Sequence, residues 1–166
     1  MIFNKLIFTI KAIFKVIDQF WVKFLLKIAH FPTISKQKIE IWDATFTLYQ
    51  VIANGVIPKD SLLVRVDGRG LRKIENTPHF SFLNSGGSSS EYENYLKNQF
   101  NHLSINTQIS NFQELKNSVK RDASTVYVLV KPRFDYKLRF IVVDGAHRAA
   151  ILAYLGFDDI PVKFTY

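Results

Sequence analysis

"VVDGAHRAAILAYLG", residues 142–156, sets an apolar run against an acid, a glycine, a histidine and an arginine. The β-branched residues ahead of Asp144 predict a buried strand. Gly145 predicts a sharp turn, and the alanine- and leucine-rich segment after it predicts a helix over 146–155, with Gly156 as its stop. "IPVKF", 160–164, reads as a further strand. Strand, helix and strand in succession predict an α/β fold in which 160–164 runs parallel to 138–144.

The chain on either side supplies the other elements. "STVYVLVK", 124–131, predicts a strand, and "PRFDYK" turns it towards "LRFIVVD", 138–144. "IWDATFTLYQVIANG", 41–55, predicts a helix stopped at Gly55, and a short strand follows at 62–66. Residues 69–83 read as irregular or short-helical, and "NSGGSSS", 84–90, as a flexible loop, a plain connection before the next helix in the first reading and a lid over the substrate in the second. Ser90 with Glu93 predicts a capped helix running to about Phe100, and Ser110 with Gln113 a second one running to Arg121. Residues 40–166 are thus expected to form one domain, a mixed sheet flanked by helices.

Composition narrows the function classes. The chain has 166 residues and is 48% apolar, enough to bury a core. It has no cysteine, which excludes disulfides, thiolate metal sites and thiol nucleophiles. The net charge is +8, and residues 1–38 carry seven lysines against the single acid Asp18. Placed on a helix, residues 1–31 put Lys5, Lys11, Lys15, Lys23 and Lys27 on one half and Phe3, Leu6, Ile10, Phe14, Phe20, Trp21 and Phe24 on the other. That division predicts a helix lying in a membrane interface. Packing on the domain itself or on a second copy in a homo-oligomer is the alternative. The lysines break every apolar run, so neither a membrane span nor a secretory signal is expected. Residues 32–39 read as a linker. The expected location is cytoplasmic, peripheral to the inner face of the membrane.

The junction after Asp144 has a chemical logic. A helix N-terminus carries unpaired N–H groups and a partial positive charge, and a glycine turn lets an anion approach them. Arg148 adds a planar cation suited to phosphate. His147 can donate a hydrogen bond or a proton. Asp144 can cap the helix, orient His147 or hold Mg²⁺.

Residues 142–162, "VVDGAHRAAILAYLGFDDIPV", resemble the signature segment of the ParB/sulfiredoxin superfamily. Its members pair a strand with a D-G-x-H-R or G-x-R-R type turn, an alanine-rich helix ending in L-G, and an I-P-V strand. The resemblance implies a ParB/sulfiredoxin-like fold. It also implies that Gly145, Ala146, His147 and Arg148 hold the phosphates of ATP, ADP or CTP, as in the superfamily's nucleotide-binding domains and small-molecule kinases. Sulfiredoxins carry a reactive cysteine where this chain has Ala146, so sulfinic-acid reduction is not expected. Partition proteins continue into a helix-turn-helix region after this segment. The sequence here runs only to Tyr166, so specific DNA binding is not expected.

A second cluster, Asp67, Arg69, Arg72, Glu75 and His79, lies within thirteen positions. The superfamily's kinases resemble it in placing an essential acid in this half of the core. That implies Glu75, or next Asp67, as the group that takes a proton from an acceptor hydroxyl, with Arg69 and Arg72 serving phosphates. A solvated charged loop is the other reading. The expectation is a nucleotide- and Mg²⁺-dependent phosphotransferase at a membrane surface, acting on a small-molecule or glycan hydroxyl. The alternatives are a non-catalytic scaffold that binds a nucleotide or a phosphorylated ligand and, ranked below it, a DNA-binding ParB-like protein that uses the basic N-terminal arm.

Overall fold

In the computed structural model the chain is described over residues 40–44, 47–51, 53–66, 70–99, 104–133 and 139–165. Residues 1–39, and with them the expected amphipathic helix and linker, lie outside the described residues, as do Asp67 and Arg69.

The architecture is mixed α/β. Strands β1 (Glu40–Ala44) and β2 (Thr47–Val51) form an antiparallel pair of their own. Strands β3 (Ala53–Pro58), β4 (Leu62–Arg65), β5 (Leu71–Lys73), β6 (Val128–Arg133), β7 (Arg139–Asp144) and β8 (Asp159–Phe164) form a six-stranded sheet in the order β3-β8-β6-β7-β4-β5. Helices α1 (Pro78–Asn84), α2 (Ser90–Gln99), α3 (Ile105–Arg121) and α4 (Ala146–Tyr154) flank it. Helix α4 packs against α1 and α3, and α1 packs against α2. The core lies between this helical layer and the sheet. From the sheet come Val64, Val128, Val130, Phe140, Val142, Ile160, Val162 and Phe164, and from α4 come Ala149, Ala150, Ile151 and Leu152. The period-two pattern is plain in β8, where Ile160, Val162 and Phe164 are buried and the residues between them are not.

Two expectations are corrected. Residues 41–55 form strands, not a helix. Aromatic and β-branched residues dominate the segment, and Trp42 pairs with Tyr49 across the ladder. Gly55 stops nothing: it is buried in β3 opposite Val162. The second correction concerns β8. It runs parallel to β6 and antiparallel to β3, and because β6 is antiparallel to β7, it opposes β7 in direction. Register supplies the reason. Asp144 at the end of β7 is level with Leu129, and Leu129 is level with Lys163 near the end of β8. β8 therefore begins beyond the point where β7 stops and runs back, so α4 acts as a long turn and not as a return arm. Between Asn84, the last residue of α1, and Ser90, the first of α2, the chain forms the expected connection, in which Gly86 and Gly87 take positive φ and Gly87 N–H donates to Phe82 C=O at 2.9 Å.

Helix starts follow the chemistry with shifts in position. Thr77 caps α1, accepting from Phe80 N–H at 3.3 Å, with Pro78 in the first turn. The cap of α2 is Ser89, whose Oγ accepts from Tyr92 N–H at 3.4 Å; Ser90 is the first helical residue. Helix α3 starts at Ile105, five residues ahead of Ser110. Ile105, Ile109, Phe112, Leu115 and Val119 make one continuous stripe at helical spacing, and burying that stripe outweighs the capping signal at Ser110.

Candidate functional site

Strand β7 ends at Asp144, and Gly145 takes φ +87° as the N-cap of α4. An L-residue rarely adopts that conformation, and a Cβ at this point would lie 3.3 Å from Arg148 Nη1 and 3.6 Å from Val128 Cα. The glycine thus turns the chain and also makes room for the arginine. Ala149 N–H donates to Gly145 C=O at 2.9 Å, the first bond of the helix. The N–H groups of Ala146, His147 and Arg148 precede it and have no acceptor within the helix.

The junction opens on a cleft of about 670 Å³. Its lining includes Val64 and Arg65 of β4, Lys131 of β6, Tyr95 and Gln99 of α2, and the run Ile141–Arg148. Among the described residues, three cations, Arg65, Lys131 and Arg148, share this wall with one carboxylate, Asp144. Arg148 Nη1 lies 3.8 Å from Asp144 Oδ2, and both side chains are about one-third exposed. A partly exposed pair of this length is weak, so an incoming anion can compete for the guanidinium.

His147 is held from behind. Its Nε2 and the Tyr92 hydroxyl are hydrogen-bonded at 2.9 Å. The ring meets His79 edge-on at 4.4 Å and Phe112 at 4.7 Å. Burial, with the Arg148 charge adding to it and Asp144 opposing it, lowers the His147 pKa to about 4. Burial also pushes His79 well below the ordinary imidazole range, with His147 adding to the shift, and pushes the Tyr92 phenol above its own. All three groups are therefore neutral at pH 7.

The sequence-predicted residues divide into two sets. Asp144, Gly145, Ala146, His147 and Arg148 all line the cleft. His79 is fully buried behind His147, and neither of its ring nitrogens has a hydrogen-bond partner. Glu75 and Arg72 are not in the cleft wall. Glu75 lies 3.7 Å from Lys59, which also pairs with Asp158 at 3.0 Å. Arg72 pairs with Glu91 at 3.1 Å and donates to Asn76 C=O. Among the described residues no group of three His, Cys, Asp or Glu side chains is placed to hold a metal ion. Mg²⁺ on a nucleotide needs only one or two carboxylates besides the phosphates, and Asp144 fits that part.

Sequence reasoning missed Arg65, Lys131, Tyr92, Tyr95 and Phe112. Arg65 closes an otherwise apolar strand, and Lys131 shares β6 with Arg133, so neither stands out as a site residue. Tyr92 and Tyr95 stand three apart on a helix, a spacing that marks a shared face but does not say what the face meets. Among the described residues no helix is long and apolar enough to cross a membrane. The chain matches no protein-family model, no curated protein and no solved structure.

Proposed function

We propose that the chain is a ParB/sulfiredoxin-like domain that binds nucleotide phosphates in the β7–α4 cleft and transfers a phosphoryl group to a hydroxyl. The observation that carries the reading is the composition of the cleft wall: a left-handed glycine at a helix N-terminus, with Arg65, Lys131 and Arg148 lining the same wall as Asp144. The first-turn N–H groups and Arg148 hold the phosphates, and Arg65 and Lys131 offset their charge. Asp144 would hold Mg²⁺, which would supply positive charge beside the phosphates. ATP, ADP or CTP supplies the phosphoryl group. Deprotonation of the acceptor, a small molecule or a glycan, falls to Asp67 or Glu75. Asp67 follows the cleft residue Arg65 by two positions in the chain, whereas Glu75 is engaged by Lys59, so Asp67 is the stronger candidate. The amphipathic pattern of residues 1–31 supports a site at the inner membrane surface.

Titration of the full chain with ATP, ADP and CTP, each with Mg²⁺, tests the site. Binding of at least one nucleotide, weakened tenfold or more by Arg148→Ala, is expected. If none binds at millimolar concentration, the reading is wrong. The same full chain should sediment with anionic lipid vesicles, and replacing Lys11, Lys15, Lys23 and Lys27 by Gln should abolish this.

A non-catalytic scaffold is favoured by one observation: Asp144 is the only carboxylate among the described residues of the cleft wall. That reading expects nucleotide-dependent stabilisation with no turnover. Nucleotide consumption that stops in Asp67→Asn would exclude it.

A further inference from the structure

We propose that Tyr92 is a positioning residue that locks His147 in the Nδ1–H tautomer, so that the histidine meets a phosphate oxygen as a neutral hydrogen-bond donor. The proposal rests on the phosphate-binding reading of the cleft for its ligand, but the lock itself is a property of the free protein.

Tyr92 has no exposed surface, and among the described residues His147 Nε2 is the partner of its hydroxyl, at 2.9 Å. Its packing neighbours are the rings of Phe82, Phe112, Tyr95 and His79. A buried O–H that does not donate loses a hydrogen bond. Burial keeps the phenol protonated, which leaves it a donor. Tyr92 therefore donates, and Nε2 accepts. A neutral imidazole that accepts at one nitrogen carries its proton on the other. His147 lines the cleft while its Nε2 faces buried Tyr92, so Nδ1–H is the group left to meet a ligand.

Packing fixes the ring as well as the proton. His79 and Phe112 each meet the His147 ring close to perpendicular, at 83° and 82°. A turned ring would lose both contacts and the bond to Tyr92. Two consequences follow for the chemistry. His147 is not the acid that protonates a leaving group, because its proton-bearing nitrogen belongs to a neutral ring. The group it recognises must be an acceptor, which a phosphate oxygen is and an ammonium or amide N–H is not.

Long-range ¹H–¹⁵N correlation spectra of the ¹⁵N-labelled full chain at pH 7 read the tautomer directly. His147 is expected to show a protonated Nδ1 and an unprotonated Nε2. Tyr92→Phe keeps the ring and removes the donor. It is expected to move His147 towards the Nε2–H form ordinary in free histidine and to weaken ATP·Mg²⁺ binding about three- to tenfold. A wild-type His147 that is cationic or protonated on Nε2 at pH 7 overturns the lock, and that measurement needs no variant to fold. Unchanged tautomer populations in a folded Tyr92→Phe overturn it equally. If the tautomer is as expected while ATP, ADP and CTP all fail to bind, the phosphate reading falls and the Tyr92–His147 lock stands.

Discussion

Replacing Gly145 by alanine separates the cost of a backbone conformation from the cost of moving a ligand-binding side chain, because the fold supplies its own control. Gly145 has φ +87° and Gly156 has φ +88°. A left-handed conformation costs an L-residue about 1–2 kcal/mol. The reduced freedom of alanine in the unfolded chain returns about 0.4–1 kcal/mol. Each substitution should therefore cost on the order of 1 kcal/mol, which for a domain of this size lowers Tm by roughly 3–6 °C. Space is where the two positions part. A Cβ at Gly156 meets nothing within 4 Å, while one at Gly145 presses on Arg148 Nη1 at 3.3 Å. The guanidinium is the end of a flexible side chain and can yield, so the excess falls on the position of Arg148 more than on stability. Thermal unfolding of both variants, paired with ATP·Mg²⁺ titration, should give similar losses of Tm, with weakened binding in Gly145→Ala alone. Equal affinities in the two variants would refute the claim that this glycine sets the arginine in place. Unchanged Tm in both would refute the backbone argument itself.

Three further outcomes follow from the same geometry. Stability should fall as pH drops below neutrality. The folded-state pKa values of His147 and His79 lie below the usual 6.5, so the unfolded chain takes up protons first. The stability these histidines confer is complete above about pH 6.5 and is lost as pH falls; for His147 the loss runs down to about pH 4 and is on the order of 3 kcal/mol. Urea midpoints at pH 7.5, 6 and 5 measure the slope before most carboxylates titrate. His79→Leu should be neutral or stabilising by up to about 1 kcal/mol, since neither ring nitrogen has a hydrogen bond to lose, and it should reduce that acid sensitivity. A loss above about 2 kcal/mol in the denaturant midpoint would mean the histidine is needed as packed. Glu75→Gln and Arg72→Ala, both outside the cleft wall, should leave ATP affinity within about twofold of wild type and stability within about 0.5 kcal/mol.

The signals that were legible in the sequence are those carried by contiguous residues. Asp144, Gly145 and Arg148 announced their strand end, turn and helix start, and the structure places those boundaries within a residue of the reading. The signals that misled are the ones tertiary contacts arbitrate. Residues 41–55 mix helix-compatible and strand-compatible types, and only the pairing of 40–44 with 47–51 decides between them. Strand direction was illegible in the same way. A helix between two strands implies a parallel return only if the chain comes back to the starting edge, and here β8 starts beyond it. The cleft wall repeats the pattern. Its first half is one run of eight residues ending at Arg148, but Arg65 and Lys131 reach it only because β4 and β6 both flank β7.

The placement of Arg148 leads to a last expectation. A cation in a first turn opposes the helix dipole by about 0.3–1 kcal/mol, and Asp144, four residues earlier, offsets this from 3.8 Å. A bound phosphate would do the same task with two oxygens at once. It would also set its own charge beside Asp144, and the two negative groups would repel. Mg²⁺ held by Asp144 would remove that conflict by supplying positive charge between the two. Nucleotide affinity in the wild type should therefore drop at least tenfold when EDTA removes Mg²⁺. In Asp144→Asn the repulsion is gone along with the metal ligand, so binding with Mg²⁺ should weaken while binding in EDTA should strengthen relative to wild type. This opposite movement is the diagnostic result, because a merely structural role for Asp144 would weaken both. Parallel losses under the two conditions would assign Asp144 to capping and pairing alone, and would remove magnesium from the proposed site.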